Sequence, residues 1–270
     1  MYLVDYHTHS CCSPDSSARL EDMAVAARRA GLEELCTTDH CDLQQEDGTP
    51  LGAWDWRPIL RQFEDTARRC AWPDFRLLLG IELGGAHTDP KRARELLSGA
   101  QLDFVIGSVH NLSPQAGGQD FFFLDYPTPQ YCGQVVEDYL ASLEVLVALP
   151  DCYDSLGHII YPLRYMNGRA GHQITLEPWQ DQVDHILRCV IKAGRAIEVN
   201  THAGREIQEW RPILRRYREL GGELITLGSD AHKPPHVGKG LEQGAQLLQE
   251  LGFRWLTLYR RRRPEQIKLI

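Results

Sequence analysis

"LITLGSDAH", residues 224–232, joins a short apolar run to two residues that can hold a cation. Leu224–Leu227 has the length and β-branched content of a buried strand. Asp230 and His232 follow two positions apart, and side chains alternate along an extended chain, so the two face the same way. The same grammar opens the chain: the apolar run Leu3–Tyr6 leads into His7 and His9. A strand whose far end carries polar residues, repeated along one chain, decides how the rest is read.

Further apolar runs lie at Glu34–Thr38, Leu77–Ile81, Phe104–Val109, Ser155–Ile159, Ala196–Asn200 and Trp255–Tyr259. Between them run amphipathic stretches at Leu20–Ala30, Pro58–Ala71, Gln130–Ala148, Pro178–Ala193, Ile207–Leu220 and Gly240–Glu250. Leu20, Met23, Ala24 and Ala27 recur at helical spacing. Val135, Tyr139, Leu143 and Leu146 do the same, and Gly31, Gly194 and Gly221 stand where helices stop. Strand-helix alternation implies parallel strands with right-handed crossovers. Seven or eight such units point to a barrel more than to an open sheet. An open doubly wound sheet is the alternative, but no G-x-G-x-x-G follows the first strand.

Each strand end then adds its donors: Asp39 and His40, Glu82, His110, His158, and Asn200 with His202. In a barrel all these ends open on one face, where active sites of such folds lie. A single histidine in an apolar run is usually a hydrogen-bonded core residue. A series of them at successive strand ends is instead read as a metal site. Imidazoles with carboxylates suit zinc, manganese or iron. The donors outnumber what one tetrahedral ion takes, so two or three divalent ions are expected.

The bulk composition is that of an ordinary globular domain, with 43% hydrophobic and 24% charged residues. A net charge of -8 disfavours a nucleic-acid partner, and Arg260 to Arg263 reads as a solvated edge. No run approaches a membrane span, and "MYLVDYHTHS" does not read as a signal peptide. Eight scattered cysteines with no C-x-x-C pair fit reduced thiols in a cytoplasmic protein. One domain over residues 1–270 is expected, since no linker divides the chain.

Seven stretches together, "HTHSCCSPD", "TTDH", "GIEL", "IGSVH", "GHIIYPLRY", "IEVNTHAGRE" and "LGSDAHKPPHVGKG", resemble the PHP family (polymerase and histidinol phosphatase). Within it they are most similar to the monofunctional histidinol-phosphatase branch. The resemblance implies an α/β fold, a distorted TIM-like barrel of seven β/α units, which leaves Trp255–Tyr259 outside the barrel. It also implies a trinuclear metal site. His7, His9, Glu82 and Asp230 would hold the first ion, and Glu82 would bridge to a second completed by His110 and His158. Asp15, His40 and His232 would hold the third. Asp39 is left to orient an imidazole, and His202 to line the site.

The implied activity is that of a phosphoric monoester hydrolase, a histidinol-phosphatase of histidine biosynthesis, by attack of a metal-bridged hydroxide on phosphorus. Another small phosphomonoester or a nucleotide is the alternative substrate. Glu82, Asp230 and His232 are the expected catalytic residues, and Arg164 and Arg205 the phosphate-binding ones. The loop after the second strand carries Asp42, Glu46 and Asp47, which could meet the substrate's amine. Trp54 and Trp56 could wall the pocket.

Overall fold

The computed structural model describes residues 2–269. Its elements follow the chain as β1 (Val4–Thr8), α1 (Leu20–Arg29), β2 (Glu34–Thr37), β3 (His40–Asp42), α2 (Arg57–Arg69), β4 (Arg76–Gly84), α3 (Pro90–Leu97) and β5 (Phe104–Ser108). They continue as α4 (Pro129–Val147), β6 (Ser155–Leu156), α5 (Tyr161–Leu163), α6 (Gln180–Lys192), β7 (Ala196–Asn200), α7 (Arg211–Glu219), β8 (Ile225–Gly228), α8 (Leu241–Glu250), β9 (Trp255–Arg260) and β10 (Arg263–Lys268).

All neighbours along β1-β2-β4-β5-β6-β7-β8 pair in parallel, and β3 pairs with β4. Because β2 and β3 are two pieces of one course, the sheet has seven barrel positions. It closes where Thr8 bridges Ala231: His9 N donates to Ala231 O at 2.9 Å and Asp230 N to His7 O at 2.9 Å. The fold is therefore the distorted seven-unit, TIM-like barrel.

The helices bury the stripes their periodicity predicts, Leu20, Met23, Ala24 and Ala27 in α1 and Val135, Tyr139, Leu143 and Leu146 in α4. One helix escaped the periodicity reading. In "TDPKRARELL" Asp89 caps the Arg92 amide at 2.9 Å and Pro90 stands in the first turn, signals that could have located α3. The fifth strand is shorter than expected, covering only Ser155–Leu156.

An eighth unit does not form. β9 pairs antiparallel with β10, and this hairpin stands outside the barrel sheet. It docks at the N-terminal end of the barrel through Tyr259 N, which donates to Tyr6 Oη at 3.1 Å, and Tyr259 Oη, which donates to Asp154 O at 2.9 Å. The arginine run is thus not a uniformly solvated edge. Arg260 pairs with fully buried Glu34, and Arg262 Nε lies 3.0 Å from fully buried Asp154. Those two carboxylates need the cations, because a buried charge without a partner costs several kcal/mol.

A second buried polar group bears on stability against pH. His87 is half-buried, and neither ring nitrogen has a hydrogen-bond partner. Burial holds its pKa down at about 4. The unfolded chain binds this proton near pH 6.5 and the folded chain only near 4, so the contribution is present above 6.5 and lost as pH falls through that window. About 3 kcal/mol is the upper bound for such a shift. His87→Leu is expected to flatten the acid limb of urea unfolding between about pH 6.5 and 4.5 relative to wild type. Parallel pH profiles would refute this role.

Candidate metal centre

The strand ends deliver the predicted donors to one cleft at the C-terminal mouth, a space of about 1180 Å³. His7 and Glu82 lie near the ends of β1 and β4, and His110 and His158 stand just past β5 and β6. Asp230 follows β8 with a left-handed backbone (φ 57°), a conformation aspartate tolerates better than most residues. That kink lets its amide bond His7 O while its carboxylate turns back to the same imidazole. Buried Asp5 anchors the loop, accepting from Ser229 N at 2.8 Å and Gly238 N at 2.9 Å.

Four donor atoms meet at one corner. His7 Nε2 lies 3.1 Å from Glu82 Oε2 and 3.6 Å from Asp230 Oδ1; His9 Nε2 lies 3.6 Å and 3.4 Å from the same oxygens. A tetrahedral ion with ligand bonds of about 2.0–2.1 Å spaces its donors roughly 3.3 Å apart, so the corner has the dimensions of a metal cage. The other Glu82 oxygen faces a second group, His158 Nε2 at 2.8 Å and His110 Nε2 at 3.1 Å. A third group lies nearer the surface, where Asp15 Oδ2 is 2.8 Å from His232 Nε2 and 3.6 Å from His40 Nε2. His9 is within reach of this group too, its ring stacked on those of His232 and His40.

His9 Nε2, His40 Nδ1 and His232 Nε2 are buried and make no aligned hydrogen bond, although carboxylate oxygens lie 2.8–3.4 Å from them. Orphaned nitrogen lone pairs beside carboxylates fit a cation better than a packed core, since buried polar atoms are otherwise nearly always satisfied. Among the described residues no group able to hold a metal includes a cysteine.

The electrostatics show how strongly the site attracts positive charge. Burial disfavours charge on His7, His40, His110, Glu82 and Asp230, yet their neighbours override it. Glu198, Glu82 and Asp230 lift His7 well above its usual pKa. Glu82, Asp15 and Asp42 do so for His40, and Asp42 and Glu82 raise His110 to about 10. The imidazoles in turn hold Glu82 and Asp230 well below the usual carboxylate range. His9 is the exception, lowered to about 3 by burial with His232 and His40.

Several expectations are revised. Asp42 is not a loop carboxylate free for a substrate amine: it lies in β3 and binds His110 Nδ1 at 2.6 Å. Gly84 makes room for it, because a Cβ there would come within 1.6 Å of Asp42 Oδ1. Asp39 touches no imidazole. It accepts from Ser10 and Ser13, and Ser13 Oγ reaches His9 Nδ1 at 3.1 Å.

Arg164 and Arg205 differ sharply. Arg164 is held by Glu206 at 3.0 Å, Asp230 Oδ2 at 3.0 Å and Asn200 Oδ1 at 3.2 Å, so its guanidinium mainly orients Asp230. Arg205 is exposed, bonds His202 O through Nε, and lines the cleft. His202 lines the cleft and leans on Glu206 at 3.1 Å. Trp54 lines the cleft as expected, whereas Trp56 Nε1 donates to Leu96 O at 3.0 Å as a packing element. Glu198, which sequence reading missed, accepts from His7 Nδ1. Its signal was a glutamate inside an apolar strand, a charge that must find a partner.

A parallel β/α barrel with clustered imidazoles and carboxylates at its C-terminal mouth defines the class of barrel hydrolases built around metal ions. Within that class the PHP domain model matches residues 5–202, and the chain belongs to the PHP family. It is 29% identical to the probable histidinol-phosphatase of Deinococcus radiodurans, covering 96% of this chain and 98% of that protein. It is 25% identical to the histidinol-phosphatase of Lactococcus lactis, covering 96% and 95%. The crystal structure of the Lactococcus lactis histidinol phosphate phosphatase, complexed with zinc, L-histidinol and phosphate, superposes with a TM-score of 0.85 at 23% identity. The match covers 97% of this chain and 98% of that one.

Proposed function

We propose that this protein is a metal-dependent phosphomonoesterase acting on L-histidinol phosphate, with residues 1–270 forming one such domain. The observation that carries the reading is the cage of His7, His9, Glu82 and Asp230, whose donor spacings of 3.1–3.6 Å fit one ion. Relatives along nearly the whole chain are named histidinol-phosphatases, which supports the substrate.

His7, His9, Glu82 and Asp230 would hold one divalent ion, Glu82 with His110 and His158 a second, and Asp15, His40 and His232 a third, as zinc, manganese or iron. Bound there, the ions supply Lewis acidity to water and to the phosphoryl oxygens. The chain's own residues do the rest. Arg205 offers a planar fork to the phosphate from the rim. Arg164 fixes the Asp230 carboxylate from behind, through the oxygen turned away from His7 and His9. The cleft is also lined by Asp120 and Glu46 and by Trp54, Tyr161 and Tyr165, carboxylates and rings that suit a protonated amine beside an imidazole.

A second reading, another small phosphomonoester or a nucleotide, is favoured by the number of aromatic rings lining the cleft, of which Phe122 remains 51% exposed. The deciding assay measures phosphate release by the metal-loaded protein from histidinol phosphate, other monoesters and a diester. Histidinol phosphate is expected to be preferred. Preference for another monoester would transfer the assignment to it, and no turnover of any monoester would end the phosphatase reading.

A further inference from the structure

The two inner ion positions share more than Glu82. Glu198, 1% exposed on β7, accepts from His7 Nδ1 with Oε1 and from the backbone amide of His158 with Oε2 at 3.0 Å. One carboxylate therefore touches a donor of each inner group, from the side away from the ions. The neighbouring backbone is shaped for it: a Cβ on Gly228 would lie 2.3 Å from His7 Cβ and 2.7 Å from Glu198 Oε1. Asn200 Nδ2 stands 3.4 Å from the same ring nitrogen.

We propose that Glu198 is a positioning residue that couples the two inner metal positions. This rests on the metal-cluster reading above. By accepting the Nδ1 proton it fixes the His7 tautomer that leaves Nε2 free to ligate, and it makes that nitrogen a better donor. By accepting from the His158 amide it sets the turn that aims His158 Nε2 at Glu82. A carboxylate in a dry strand has no water to substitute for either contact, so disturbing it disturbs both positions. Its two bonds act through histidines, and it touches neither ions nor substrate.

The test is cobalt(II) titration of the full chain, read by chelator competition and by visible absorption, with Asp15→Ala as background to remove the outer position. Glu198→Gln keeps the volume and removes the charge. Carboxylates behind ligating histidines typically account for about 10–100-fold in metal affinity. Both remaining cobalt equivalents are expected to weaken by that factor together, with a changed absorption band. Should Glu198→Gln fail to fold, Glu198→Asp, which withdraws the charge by one methylene, gives the same readout. Wild-type affinity and spectrum in the variant would overturn the role, and weakening of a single equivalent would overturn the coupling. A parent that takes up no cobalt would instead overturn the metal-cluster reading itself, and this inference with it.

Discussion

Glu82→Gln is expected to lose activity and metal together, with kcat/KM falling by about 10³-fold, the scale of removing one preorganised charge from a dry site. The geometry leaves little room for compensation. Glu82 is 1% exposed, and its two oxygens serve different groups. Oε1 accepts from Ser108 Oγ at 2.7 Å and faces His158 and His110; Oε2 faces His7 and His40, each at 3.1 Å. Glutamine preserves the shape but turns one acceptor into a donor amid imidazoles, and removes the negative charge between two ion positions. The imidazoles would then face one another with little to hold them together. Metal content of desalted protein and initial rates on a phosphomonoester check this. A variant that is fully metallated and active would show that Glu82 does not bridge.

Much of this site was legible in the sequence because its grammar is local. Each donor sits at the end of an apolar run, and the barrel topology gathers strand ends whatever the helices between them do. That grammar nominated His7, His9, Glu82, His110, His158, Asp230 and His232 along with Asp39, His40, Asn200 and His202, and the family resemblance chose among them. The supporting groups were less visible, because their partners are remote in sequence. Glu198 meets a histidine 191 positions away, and Asp42 meets one 68 positions away. No periodicity within a strand encodes either pairing. The two arginines could not be told apart for the same reason: Arg164 and Arg205 look alike as residues, but only the fold places Glu206, Asp230 and Asn200 around the first. Strand composition alone left seven or eight units open because β9 has an ordinary strand composition; the family resemblance placed Trp255–Tyr259 outside the barrel, and its antiparallel pairing with β10 agrees.

Removal of the ions is the other large effect. Exhaustive chelation is expected to abolish phosphate release, and zinc, manganese or iron(II) to restore it. The fold should feel the loss as well, because a ligand held only by the native state stabilises it in proportion to the logarithm of its saturation. At a free ion concentration about 1,000 times Kd, one site contributes about 4 kcal/mol, and in a chain of this size each kcal/mol moves Tm by roughly 2–4 °C. Chelated protein should therefore melt roughly 10 °C lower for each tightly held ion removed. The order of loss follows from exposure. Asp15 is 50% and His232 25% exposed, whereas Glu82, His7 and His9 are sealed in the mouth. A mild chelator should take the outer ion first and leave two, so metal content and Tm should fall in steps. Loss of all ions at once would place the outer residues in a single cooperative unit with the inner ones. Full activity after complete removal would contradict the metal mechanism.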